Sequence, residues 1–229
     1  MVAHGSTRFE DALSALKSAG SALLVVGTVP DDSFGRVATQ LLGEGSETPR
    51  RRLVVTTAEK VQAVTNRLPD SPWLTPAQST RVITLSERDR SAAAEPAPDT
   101  TDFPVESVSK SDLSELSKRV LVNIEEFERQ GGEFQPAELR VSIDSLTPLL
   151  RANGQENVFR MMHPLNNVVR EKRGMAHYHL PVERDSATAR TFAPLFDAVI
   201  DLRVADGELQ QQWHLRDPDL TSEWLPVEQ

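Results

Sequence analysis

The chain contains no cysteine, which excludes a disulfide framework, a thiolate zinc site, an iron–sulfur cluster and a cysteine nucleophile. It also lacks long apolar runs: stretches such as Ala22–Val26 fall far short of the ~18 residues a membrane span requires. Residues 1–20 carry no basic segment followed by an apolar one, so no secretory signal is expected. Aromatic residues make up 5% of the chain, and only five of the 25 basic residues are lysine (Lys17, Lys60, Lys110, Lys118, Lys172). Against these stand 34 acidic residues, for a formal net charge of −9. That balance argues against a mainly electrostatic grip on nucleic acid, because phosphate binding draws on basic surface. Acidic excess with scarce lysine keeps a protein soluble in high salt, as in a haloarchaeon. A GC-rich genome, with its codon bias towards Arg, Ala, Asp and Val, yields the same composition. The expectation is a soluble, cytoplasmic protein whose 229 residues form one domain with one sizeable core.

The apolar pattern predicts alternating helices and strands. Phe9–Ser18 reads as an amphipathic helix stopped by Gly20, and Ser21–Val26 as a strand buried on both faces. Gly27–Ser33 is a turn and Phe34–Leu42 a helix. Leu53–Thr57 reads as a strand, Ala58–Arg67 as a helix and Thr80–Leu85 as a third strand. Ser91–Phe103 has little to bury and reads as a loop or linker. Ser111 can cap a helix to about Glu128, with Leu113, Leu116, Val120, Ile124 and Phe127 on one face and Gly131-Gly132 as its end. Then come strand Leu139–Ile143, helices Ser145–Arg151 and Glu156–Lys172, strand Met175–Leu180 and helix Ala187–Phe196. Ala198–Arg203 and Gln210–Leu215 flank Asp206-Gly207, a strong hairpin signal. The fold class that follows is α/β: a mostly parallel sheet covered by helices on both faces, closed by a C-terminal antiparallel hairpin at its edge. Ligands of such sheets sit at the carboxyl ends of the strands, so the loops after Val26, Thr57, Leu85 and Ile143 are the places for chemistry.

The first of these, Gly27-Thr28-Val29-Pro30-Asp31-Asp32-Ser33-Phe34-Gly35, stands where a phosphate-binding loop stands. The working pattern is G-x-x-x-x-G-K-[ST], in which backbone N–H groups cradle phosphate, lysine reaches the outer phosphates and the hydroxyl holds magnesium. Aligned on Gly27, the second glycine is Asp32, the lysine is Ser33 and the hydroxyl is Phe34. Asp31, Asp32 and Ser33 read instead as a helix start that fills its own anion site. A shifted alignment would put Gly35-Arg36 in place of Gly-Lys. Asp144, closing the strand Leu139–Ile143, reads either as a carboxylate that organises magnesium or as a helix cap.

The strand–loop–helix from Ser21 to Leu42, the strand R-V-S-I-D-S-L and the terminal F-D-A-V-I-D-L strand together resemble the RecA superfamily, in its KaiC and gas-vesicle-regulator branch. The resemblance spans roughly residues 8 to 216 and rests on element order more than on motif identity. It is closest to small haloarchaeal proteins that keep this core and have lost its phosphate loop. It implies a P-loop NTPase core with a degenerate Walker A motif and a Walker B-like Asp144. It also implies association through neighbouring faces, as a homo-oligomer or with an active paralogue. The lysine and hydroxyl do not carry over onto Ser33 and Phe34, and no spacing assigns Glu87 the role of a catalytic glutamate.

Other residues invite weaker readings. His177 and His179 share one side of a strand but bring no third ligand, so no metal is expected. Ser6, Ser33 and Ser145 lack a nucleophile elbow. Arg50-Arg51-Arg52 reads as a solvated run balancing Glu44 and Glu47, or as a contact for phosphate or for an acidic partner. Trp213 and Trp224 read as interface anchors or as cover for the sheet edge. The leading expectation is a non-enzymatic regulatory or interaction domain that binds a protein partner and takes no nucleotide cofactor. The alternatives are a divergent ATPase using Asp144 with Arg36 or Arg151, and a DNA-associated transcriptional regulator, although no helix-turn-helix is recognisable.

Overall fold

A computed structural model describes residues 3–43, 48–66, 68, 71–87 and 101–227. It contains a ten-stranded sheet in the order β10-β8-β7-β1-β6-β5-β2-β3-β4, with β9 also pairing with β8. The strands are β1 (Ser21–Val26), β2 (Arg51–Thr57), β3 (Thr80–Ser86), β4 (Val105–Ser109), β5 (Leu139–Ile143) and β6 (Met175–Leu180). They are followed by β7 (Ala198–Ala205), β8 (Glu208–Leu215), β9 (Leu220–Thr221) and β10 (Leu225–Pro226). The run from β4 to β7 is parallel, whereas β8 is antiparallel to β7 and carries β9 and β10. Asp206 and Gly207, both at positive φ, form the predicted turn of the β7–β8 hairpin.

Two apolar layers cover the sheet. On one face, α1 (Ala3–Ala19) and α2 (Asp31–Leu42) place Ala12, Phe34, Val37 and Leu41 against Leu23, Val25 and Ile200. On the other, α5 (Leu113–Gly131), α6 (Thr147–Asn153), α7 (Gln155–Glu171) and α8 (Ala187–Phe192) cover Leu24, Val55, Val141 and Tyr178. The predicted stripe of α5 is buried at Leu116, Val120, Ile124 and Phe127. Alternate residues of one strand thus enter different cores, and this is why β1, β2 and β5 read as unbroken apolar or buried runs.

Several boundaries depart from the expectation. The stretch after β2 is a 3-10 turn, Ala58–Lys60, and a five-residue α3, Val61–Thr65, rather than one helix to Arg67; Arg67 lies outside the described residues. A short α4 (Pro76–Ser79) precedes β3. The cap of α5 is Asp112, whose Oδ1 accepts the Glu115 N–H at 2.8 Å, and not Ser111. The predicted linker 91–103 falls outside the described residues up to 100, while Phe103 packs on Leu42, Val54 and Val82. β4 was not expected, because V-E-S-V-S alternates weakly and lies half-buried along β3.

The arginine run is corrected too. Glu44 and Glu47 lie outside the described residues, and Arg51 and Arg52 are buried on opposite faces of β2 rather than solvated. Arg51 bonds the Glu138 carboxylate at 2.8 Å and donates to the Phe127 carbonyl. Arg52 donates to the carbonyls of Leu42 (3.4 Å) and Gly43 (2.6 Å). Arg140 donates to Leu41 O at 3.0 Å. The C-terminal end of α2 therefore has its orphan carbonyls, and the negative end of its dipole, answered by two buried guanidiniums. Burial and nearby Arg50 lower Arg52 to about 10, which still leaves it charged at neutral pH. Arg50, half-buried, donates to Ala137 O, so the run is a structural device and supplies no interface through Arg51 or Arg52.

Candidate functional site

The carboxyl ends of β1, β2, β5 and β6 converge beneath the N-terminus of α2. The link from β1 to α2 is four residues long, Gly27–Pro30, against the six of the G-x-x-x-x-G pattern. Gly27 is required by close approach: at φ +138°, a Cβ there would meet the Leu202 carbonyl oxygen at 2.5 Å. Its N–H is spent on the Val182 carbonyl at 2.8 Å. Thr28 is exposed at the loop's outer side.

Asp31, Asp32, Ser33, Phe34 and Gly35 all lie inside α2. The N-cap position falls on Pro30, which offers no side-chain bond, so Asp31 and Asp32 are first-turn residues rather than caps. Ser33 is buried and its N–H bonds Pro30 O. Phe34 points inward and its ring lies 5.5 Å from that of His179. An apolar ring therefore occupies the position that aligns, from Gly27, with the hydroxyl of the phosphate-loop pattern.

Asp144 is not a helix cap, because the N-cap of α6 is Leu146. Its Oδ2 accepts the Thr56 hydroxyl at 3.1 Å. The Lys60 ammonium reaches that same oxygen at 3.8 Å and Asp31 Oδ2 at 3.2 Å. One internal cation thus bridges the first turn of α2 to the end of β5. Lys60 and Thr56 were missed by sequence reasoning. The available signal was a Thr-Thr strand end followed three residues later by one of only five lysines.

His177 and His179 share a side of β6, both buried, with ring centroids 5.2 Å apart. His177 Nε2 and both nitrogens of His179 have no partner among the described residues. Burial lowers both, His179 to about 4, with Asp144 pulling it up and Lys60 pushing it down. No group of three metal-ligating side chains occurs among the described residues.

The remaining candidates scatter. Glu87 is exposed and pairs with Lys110 at 2.6 Å, while Arg36 and Arg151 are exposed on α2 and α6. Ser145 Oγ accepts the Thr147 N–H at 3.2 Å; Ser6 belongs to α1, and its side chain lies outside the described residues. Trp213 meets Phe9 of α1 edge-on at 6.5 Å and so covers its own sheet. Trp224 is half-buried with the Arg203 guanidinium 3.9 Å from its ring centroid. Among the described residues no helix is long and apolar enough to cross a membrane.

The chain matches no curated protein. Residues 20–202, from the start of β1 through most of β7, match a family of unknown function, and the chain belongs to that family, DUF7504.

Proposed function

We propose that this chain is a non-catalytic regulatory or protein-interaction domain on a RecA-like scaffold, of the KaiC and gas-vesicle-regulator kind. Its nucleotide site is filled by its own side chains. The parallel order, the loop after β1 and the acidic end of β5 support the scaffold. The observation that carries the loss of chemistry is the Lys60 bridge between Asp31 and Asp144. A carboxylate that would organise magnesium already has a cation and a hydroxyl. Asp31 adds a carboxylate at the helix N-terminus that disfavours a polyphosphate, an effect damped by its exposure and by Lys60. The domain works through contacts with a protein, either a second copy or a paralogue that retains the chemistry.

The test is thermal unfolding with and without millimolar ATP–magnesium. The expected result is an unchanged midpoint. A ligand at about a hundred times its dissociation constant would add about 2.7 kcal/mol. A shift of that size, or ATP hydrolysis that disappears in Asp144→Asn, overturns the reading in favour of a divergent ATPase.

A further inference from the structure

On the other side of β1 from the filled site lies an open cleft of about 420 Å³. It exists because β1 pairs with β7 only from Leu23↔Ala198 to Val26↔Asp201, whereas the β7–β8 hairpin continues to Ala205 and Glu208. The overhang forms one wall, and the loops after β1 and β6 form the other. Those two loops leave the sheet in opposite directions, to α2 on one face and α8 on the other, which is where α/β sheets place ligands. The volume is that of a small-molecule site.

Its lining is polar and carries both signs of charge. Asp201 is at the floor, its side chain 22% exposed, with Arg184 Nε no closer than 3.7 Å, beyond a hydrogen bond. Arg184 also leans to Asp185 at 3.2 Å. Arg203 is exposed; its Nε donates to Gln210 Oε1 at 3.0 Å and its guanidinium carbon lies 3.9 Å from the Trp224 ring centroid. Burial, with Asp185, holds the Asp201 carboxyl above the ordinary range against the pull of Arg184, the Leu202 N–H and Arg203. Glu183 and Asp185 on the rim bring the carboxylates to three against two guanidiniums, which disfavours polyphosphates.

We propose that this cleft binds a small zwitterion of the α-amino-acid class, with its ammonium on Asp201, its carboxylate on Arg203 and its carbon chain along Trp224. The cleft shares Gly27 and Thr28 with the loop after β1 but none of Asp31, Phe34, Lys60 or Asp144, so its ligand can be tested apart from the reading of those residues.

The experiment is amide and indole N–H chemical-shift titration of the full chain with L-lysine, L-glutamate and L-leucine in turn, each at millimolar concentration. Butylamine and butyrate serve as half-ligands. At least one amino acid is expected to shift Gly27, Thr28, Asp201 and the Trp224 indole, with both half-ligands at least about tenfold weaker. Asp201→Asn and Arg203→Gln should each weaken binding by about ten- to a hundredfold, as loss of a charge-assisted hydrogen bond requires, while the rest of the spectrum is preserved. No shift with any of the three, butylamine binding as tightly as the amino acid, or undiminished binding in a folded Asp201→Asn variant overturns the proposal.

Discussion

Acidification to about pH 5 should destabilise this protein well before its carboxylates titrate, and the cause is the histidine pair beneath α2. An unfolded chain protonates histidine near 6.5, whereas burial lowers His179 to about 4 and His177 well below 6.5. Between those values the unfolded state binds more protons than the folded state. Stability is therefore complete above about pH 6.5 and falls as the pH drops, with the His179 contribution levelling off near pH 4. At 1.36 kcal/mol per unit, His179 alone costs about 2 kcal/mol at pH 5 and about 3 kcal/mol at pH 4, and His177 adds to the slope. Asp144 opposes the shift of His179 and Lys60 reinforces it, while Arg140 reinforces that of His177. Urea unfolding followed by circular dichroism between about pH 7 and pH 5 measures the slope. His179→Leu should remove one proton from it, and the double variant with His177→Leu most of it, with His214, also lowered by burial, contributing to the remainder. A wild-type protein equally stable at both ends of that range, or a double variant with the slope intact, would refute the reasoning.

Two substitutions probe how α2 is held. Gly27→Ala forces a Cβ against the Leu202 carbonyl at φ +138° and should cost at least about 2 kcal/mol in urea unfolding; an unchanged midpoint would contradict the close approach. Arg52→Met leaves the buried carbonyls of Leu42 and Gly43 without their guanidinium and should cost about 2–4 kcal/mol. Arg52→Lys, which keeps the charge without the fork, should recover only part of that loss.

The parts of the fold that could be read from the sequence are those set by local pattern. Ala22–Val26 and Leu53–Val55 are continuous apolar runs because both faces of β1 and β2 are covered. The hairpin was legible because Asp206-Gly207 suits a turn with positive φ at both positions. β4 was hidden because it lies at the sheet's edge, where partial exposure tolerates the polar residues of V-E-S-V-S. The candidate site was half legible. That Ser33 and Phe34 could not do the work of lysine and threonine follows from their side chains alone. That Lys60, in the turn after β2, reaches Asp144 depends on β2 lying beside β5, which no local pattern encodes. The arginine run misled for the same reason: a charge count gives no partner, and the partners of Arg51 and Arg52 are Glu138, 87 positions away, and the end of the preceding helix.

Helix α2 is thus fixed by cations at both ends: Lys60 at the carboxylate of its first turn, and Arg52 with Arg140 at its last carbonyls. Each contact matches the charge that the helix dipole presents or attracts at that end. A phosphate-binding helix is completed by its ligand; this one is completed by the chain itself, with Phe34 closing over His179. The proposed insensitivity to ATP–magnesium and the expected sensitivity to acid therefore have one origin. On the proposed reading the chain's own side chains take the place of a nucleotide, and under Phe34 lies an imidazole that burial keeps neutral until about pH 4.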